Sequence, residues 1–338
     1  MEAAVVPGLA IALIRNGRLL WRRGFGVKNS GAKTPVDNDT VFEAASVSKP
    51  VFAYAVMQLC EKGVIDLDTP LSQYAPKAFL PGDPRLHLIT ARHVLSHTSG
   101  FQDWRSKADP LRIHFTPGTQ FLYSGEGYYY LQSVVTHLTG RVDPGNCAKY
   151  EAELEVCATD IDDYLKRNLL RPFGMASSGY VWSDLFQKHA ARPHDAQGRP
   201  SPKKRPTATD AARYAAAGGL HTTPGDYAKF LLQILDPKKS DAVRLTEKRL
   251  TEMLRPQIRL NEDQRIDGAS SWALGWAIQE RKTGNVLVHS GGQDGFKSLT
   301  MASVDRKSGF IALTNGDNGW KVFHDEAFQQ SMNELLAR

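Results

Sequence analysis

Strand-forming sequence lies at both ends of this chain and is missing from its middle, and that layout narrows the folds open to it. Near the N-terminus, Leu9-Ala10-Ile11-Ala12-Leu13-Ile14 and Leu19-Leu20-Trp21 flank Asn16-Gly17, a dipeptide suited to a tight hairpin turn. Near the C-terminus, 272–280, 286–289, 298–304 and 310–314 each read as a strand bounded by turn residues. Residues 305–309 join the last two as a hairpin loop, and 323–336 reads as a closing amphipathic helix. From about Asp66 to Asp210 the pattern changes to helical segments separated by Pro- and Gly-rich loops. Thr90 is placed to cap a short helix carrying Val94 and Leu95, and Tyr128–Leu138 is another helical stretch. The expected architecture is an α+β fold with an antiparallel sheet flanked by helices. Residues 1–65 and 211–338 would form a discontinuous sheet domain, and residues 66–210 a mostly helical lobe. A cleft between two lobes is a favoured place for a substrate pocket.

Composition excludes little and adds little. The 338 residues suffice for a large core, and 41% hydrophobic with 23% charged residues is ordinary for a globular protein. A net charge of +6 is modest over this length. The basic cluster Lys203-Lys204-Arg205 lies in a stretch without large apolar residues and reads as a solvated loop, since no aromatic interleaving accompanies it. No nucleic-acid partner is expected. No run of about 18 apolar residues exists, so no membrane span is expected. The first residues carry no basic region or leader cleavage site. The expectation is a periplasmic or secreted protein whose leader has been removed, with a cytoplasmic protein as the alternative. Of three cysteines, Cys60 falls on the apolar face of a helix and reads as a buried small hydrophobe. Cys147 and Cys157 fit either a disulfide or two free thiols.

The chemistry begins at Ser46-Val47-Ser48-Lys49. Phe52, Ala55, Val56, Leu59 and Cys60 follow at helical spacing, and Gly63 sits where the helix would end. Residues three apart share a helix face, so Ser46 and Lys49 can touch, with Ser46 at the positively polarised N-terminus. A serine hydroxyl needs a base to become a nucleophile, and a desolvated lysine can serve.

Two further segments carry candidate groups. In Phe121-Leu122-Tyr123-Ser124-Gly125-Glu126-Gly127-Tyr128 a tyrosine sits beside glycines, and a nearby ammonium would favour its phenolate and make it a base. Tyr128, Tyr129 and Tyr130 read as packing residues on a helix. In Val288-His289-Ser290-Gly291-Gly292 a strand runs into glycines, which let the backbone approach a substrate and present amide donors to an oxyanion.

These three segments in this order resemble the serine β-lactamase and penicillin-binding superfamily, whose Ser-x-x-Lys element is well characterised. More specifically, the chain looks like the class C β-lactamase and family VIII carboxylesterase branch. The resemblance extends through Val94-Leu95-Ser96-His97-Thr98-Ser99-Gly100 and Gly218-Gly219-Leu220-His221-Thr222-Thr223, and so spans nearly the whole chain. It implies Ser46 as acylated nucleophile, Lys49 as its proton partner and Tyr123 as base in acylation and activator of water in deacylation. It implies an oxyanion hole from the amides of Ser46 and Gly292, with His289, Ser290 and Gly291 in the third motif. Asn315 matches a position that helps bind a substrate carboxylate. No metal or other cofactor is implied.

Two departures bear on substrate. Gly125 stands where the family's β-lactamases usually have an asparagine that orients a substrate amide, and His289 stands where they usually have a lysine suited to a carboxylate. Both changes weaken recognition of anionic amides and leave the acyl-transfer groups in place. The expected function is a carboxylesterase working through an acyl-enzyme on a small-molecule ester. The alternatives are a β-lactamase, a peptidase acting on D-amino-acid peptides, and a non-catalytic module that binds β-lactams or cell wall. Trp104, in the loop from Phe101 to Pro117, is a candidate pocket wall. His93 and His97 have the spacing of zinc ligands, but position 94 is Val rather than the glutamate a metalloprotease needs, and His97 reads instead as support for the loop through Ser99-Gly100.

Overall fold

A computed structural model describes residues 1–74, 79–140, 147–149, 155–202, 214–238 and 243–337. The Lys203-Lys204-Arg205 cluster lies outside them, as do the side chains of Cys147 and Cys157. The backbones of these two cysteines pair directly in a two-stranded ribbon.

The N-terminal hairpin forms as the sequence predicts. Strands β1 (Gly8–Arg15) and β2 (Arg18–Asn29) meet at Asn16 and Gly17, whose φ angles of +51° and +69° are those of the turn that matches strand twist. Strand β1 then pairs antiparallel with β13 (Ser308–Thr314), from Leu9 opposite Thr314 to Ile14 opposite Gly309. This pairing joins the two ends of the chain into one sheet. The neighbours of β13 are β12 (Phe296–Ser303), β11 (Gly284–Gln293) and β10 (Ala277–Arg281), then β9 (Ser271–Trp272) and β8 (Ile258–Arg259). With β3 (Thr34–Pro35) beyond β2, the sheet has nine strands among the described residues, while β4 (Phe42–Glu43) pairs with β7 (His221–Thr222) and β5 (Cys147–Lys149) with β6 (Glu155–Cys157) outside it.

The sheet is covered on both faces. Alternate residues of a strand face opposite ways, and in β1 they join different cores. Ala10, Ala12 and Ile14 belong to the core that also holds helix α1 (Ser48–Glu61) and helix Pro224–Leu235, the latter packed against β1 and β13, while Leu9, Ile11 and Leu13 share a core with Met332 and Leu336 of the C-terminal helix Glu326–Ala337. The first core continues without a break into the middle segment, through α2 (Ala91–Leu95) and α3 (Gly125–Thr139).

Three elements differ from expectation. Helix α1 is not amphipathic: Ser48 through Cys60 are all buried, in a core drawn from the sheet, the middle segment and the helices Pro224–Leu235 and Glu247–Leu254. The expected strand 272–280 is broken at Gly275, whose φ of +84° turns the chain so that β9 and β10 become a hairpin. The expected closing helix forms as Glu326–Ala337, three residues late because Asp325 starts it, its side chain accepting from the Phe328 amide at 3.1 Å, and a separate short helix Gly319–Phe323 precedes it.

Candidate active site

Ser46 lies in a tight turn at Ala45–Val47, immediately before α1, and not inside the α-helix itself. The turn depends on Ala45, whose φ of +50° is costly for a residue with a side chain. Its neighbours hold it there. The Ser298 hydroxyl donates to the Ala44 carbonyl at 2.7 Å, and the Ser48 hydroxyl donates to the Ala45 carbonyl at 2.6 Å. The Ala44 amide donates to the Leu220 carbonyl at 2.8 Å. The result is a half-buried Ser46 whose own amide lies at the start of a 14-residue helix.

One turn on, the Lys49 ammonium donates to Ser46 Oγ at 3.3 Å and to the Ala217 carbonyl at 2.7 Å. Lys49 is only 2% exposed. Burial pulls its pKa down from 10.5 to about 8, against a smaller opposing pull from the Asp103 carboxylate. Lys49 is therefore close to shedding its proton at neutral pH.

Tyr123 sits just before the N-terminus of α3, which Ser124 caps by accepting from the Gly127 amide at 2.9 Å. The Tyr123 phenol hydrogen-bonds with Ser46. The expected phenolate does not follow, however. Burial pushes the phenol well above its ordinary pKa, and the Ser46 contact only partly offsets this. Lys49 Nζ lies over the ring, 4.8 Å from its centroid, and the site thus holds a neutral phenol beside an easily deprotonated lysine.

The third motif runs along β11 and places Gly291 against the Ser46 turn. A Cβ on Gly291 would lie 2.7 Å from the Ser46 amide nitrogen and 2.8 Å from the Ala44 carbonyl oxygen, so only glycine lets the strand approach this closely. Gly292, the next residue, is exposed. Gly291 is the residue that sets how closely the strand leading to Gly292 approaches the Ser46 turn. Gly291→Ala is expected to cut kcat by about 10²–10³-fold, the cost of losing an oxyanion donor. Steady-state kinetics with thermal unfolding as a check on folding would read it, and near-normal kcat would remove this role.

His289 is buried, and burial together with the Lys49 charge lowers its pKa to about 3. It is a neutral imidazole whose Nδ1 donates to the Ser290 carbonyl at 2.7 Å. The Ser290 hydroxyl in turn hydrogen-bonds with the Asp267 carboxylate. Asn315 is not brought into this group. It is fully buried, and its amide donates to the Val27 and Lys28 carbonyls at 3.2 Å each, so it ties β2 to the end of β13 instead of facing a substrate.

Trp272, which the sequence did not single out, completes the site together with His97. Trp272 packs edge-on against His97, His289 and Tyr123 with ring centroids 4.9, 5.6 and 5.9 Å away. His97 lies nearly parallel to the Tyr123 ring, 4.3 Å between centroids and 30° between planes. Its Nδ1 accepts from the Ser124 amide at 3.0 Å, and its carbonyl accepts from the Leu122 amide at 2.8 Å. His97 thus supports the Tyr123 loop. The i,i+4 helical arrangement that suggested a zinc pair with His93 does not form, because α2 ends at Leu95 and His97 has a φ of +57°. His93 instead completes a capping box with Thr90. Among the described residues, no group of three or more His, Cys, Asp or Glu is placed to hold a metal ion.

The family model for β-lactamase matches residues 1–331, nearly the whole chain. The chain belongs to the β-lactamase family. Protein flp of Staphylococcus aureus is 20% identical over 93% of this chain, and the chain spans 61% of that relative's length. Penicillin-binding protein 4 of Amycolatopsis lactamdurans is 26% identical over 98% of this chain and 86% of its own. Among solved structures, D-alanine carboxypeptidase AmpC from Burkholderia cenocepacia superposes with a TM-score of 0.74 at 18% identity, covering 95% of this chain and 93% of that one. At that identity the likeness speaks for the fold alone, and the fold is the α+β arrangement of β-lactamases and transpeptidases.

Proposed function

We propose that this β-lactamase-family chain is a serine hydrolase acting on carboxylic esters through an acyl-enzyme on Ser46. Neutral Lys49 takes the Ser46 proton as Oγ attacks the ester carbonyl, and the tetrahedral oxyanion is received by the amides of Ser46 and Gly292. Collapse breaks the bond to the alcohol oxygen, which takes a proton through the Tyr123 phenol. Water then attacks the acyl-enzyme over the same groups, giving the free acid and restoring Ser46.

The observation that carries the ester reading is the buried, neutral His289 at the position where a lysine would meet a substrate carboxylate. With Ser290 tied to the Asp267 carboxylate, this wall offers no fixed positive charge among the described residues. Esters also make smaller demands on the leaving group than amides do. A second reading, turnover of β-lactams or D-amino-acid peptides, draws on the relatives' names and on the same acyl-transfer groups.

The deciding experiment compares p-nitrophenyl butyrate and the cephalosporin nitrocefin on the same preparation, with burst-phase amplitudes. Ester kcat/KM exceeding nitrocefin kcat/KM supports the proposal. The reverse order would make the protein a β-lactamase, and saturable binding without acylation of Ser46 would make it a binding module.

A further inference from the structure

Gly125 carries more than the loss of an asparagine. A Cβ at this position would lie within 2.8 Å of three indole atoms of Trp104, Cε2, Cζ2 and Cη2. The indole therefore already fills the space that any side chain at 125 would need. Its place is set by both of its chain neighbours. The Asp103 carboxylate accepts from the Gly125 amide at 2.9 Å, and the Asp103 carbonyl accepts from the Glu126 amide at 2.8 Å. On the other side the Arg105 amide donates to Glu126 Oε1 at 2.9 Å, and its guanidinium pairs with Glu126 Oε2 at 2.7 Å in a buried ion pair. Trp104 is thus clamped at both ends to the first turn of α3, two residues from Tyr123. The edge of Tyr214 closes on it at 4.8 Å between centroids. The Asp103 carboxylate is within electrostatic reach of Lys49 and Tyr123, and the clamp holds Trp104 on the turn of α3 that follows Tyr123.

We propose that Trp104 and Gly125 form a matched pair, an indole wall standing in place of an amide-binding side chain, which selects apolar acyl groups for the Ser46 ester. The inference rests on the ester reading and adds the acyl class to it. An amide at position 125 would offer a substrate hydrogen bonds, whereas an indole offers an apolar surface that rewards hydrocarbon. Substrates with an acylamino group beside the reacting carbonyl would leave that group without a partner, a penalty that hydrocarbon acyl chains do not meet.

The test is the ratio of kcat/KM for p-nitrophenyl hexanoate to that for p-nitrophenyl acetate, in wild type, Trp104→Ala and Trp104→Phe. A lost apolar contact changes discrimination by about 10–200-fold. The ratio is expected to fall at least about tenfold in Trp104→Ala and less in Trp104→Phe, which keeps part of the wall. An unchanged ratio in either folded variant overturns the inference. Gly125→Ala, Trp104→Ala and their double variant form a second readout. The single glycine change should disrupt turnover, and the double variant should regain part of it as the indole is removed. Independent, additive losses would overturn the interlock. If the wild type turns over nitrocefin and no ester, the ester reading fails, and the same cycle read on nitrocefin still decides whether the pair is coupled.

Discussion

Replacing Ser46 by alanine is expected to lower ester turnover by about 10⁶-fold, the scale of removing a nucleophile from a site whose other groups act only through it. Among the described residues, the neighbouring hydroxyls are poorly suited to take over, and the Tyr128 phenol, whose hydroxyl has no hydrogen-bond partner, is kept protonated by burial. Ser48 is buried, with its hydroxyl donating to the Ala45 carbonyl at 2.6 Å and accepting from the Leu220 amide at 3.0 Å. The Ser290 hydroxyl is engaged by Asp267. The Tyr123 phenol is held in its protonated form by burial. The loss should appear together with disappearance of the acyl adduct in intact-mass spectra of the protein mixed with p-nitrophenyl butyrate. Stability should barely change, because Ser46 is half-buried and its contact with Lys49 is long at 3.3 Å. Turnover within tenfold of wild type, with an adduct still present, would move the nucleophile to another residue.

What the sequence makes legible here is what local spacing controls. Asn16-Gly17 dictates its hairpin because two adjacent positive φ angles are a property of two residues. The Ser46–Lys49 contact follows from a three-residue offset, even though Ser46 proves to lie in a tight turn ahead of the helix. Thr90 caps α2 for the same local reason. Where the outcome depends on what packs from elsewhere in the chain, the pattern is silent or misleading. The apolar spacing of α1 suggested one buried face, and only the sheet, the middle segment and the helices Pro224–Leu235 and Glu247–Leu254 together bury the rest. Asn315 matched a substrate-binding position by its place in the chain, yet its amide is spent on two carbonyls of β2 that lie nearly 290 residues away. Gly125 was readable as a missing asparagine, but the indole occupying that space could not be inferred from residue types, since it depends on the clamp between Glu126 and the residues on either side of Trp104. The protonation state of Tyr123 belongs to the same class. A nearby ammonium argues for phenolate, burial argues against it, and only the three-dimensional site shows that burial dominates.

Lys49→Met should separate the two consequences of burying an amine. Removing an acid–base partner costs about 10²–10⁴-fold in rate, so kcat/KM should fall by that much. The wild-type pH profile should show why. With a pKa of about 8, Lys49 is mostly protonated at pH 7, so kcat/KM should rise tenfold per pH unit below about pH 8 and flatten above it. That limb should be missing from the residual activity of the variant. Stability should move in a linked way. In the unfolded chain the lysine keeps its ordinary pKa of 10.5, whereas in the folded protein burial lowers it to about 8. Between these values the unfolded state binds the extra proton, so wild-type stability gains on the variant as pH rises through this window. A difference of that size amounts to about 3 kcal/mol. The gain is complete above the unfolded value and absent below the folded one. Denaturant unfolding of both proteins across pH 7 to 11 measures it, with the variant cancelling the titration of the tyrosines common to both. A flat difference across that range, together with a pH–rate profile lacking a limb near 8, would show Lys49 charged throughout and would return the role of base to Tyr123.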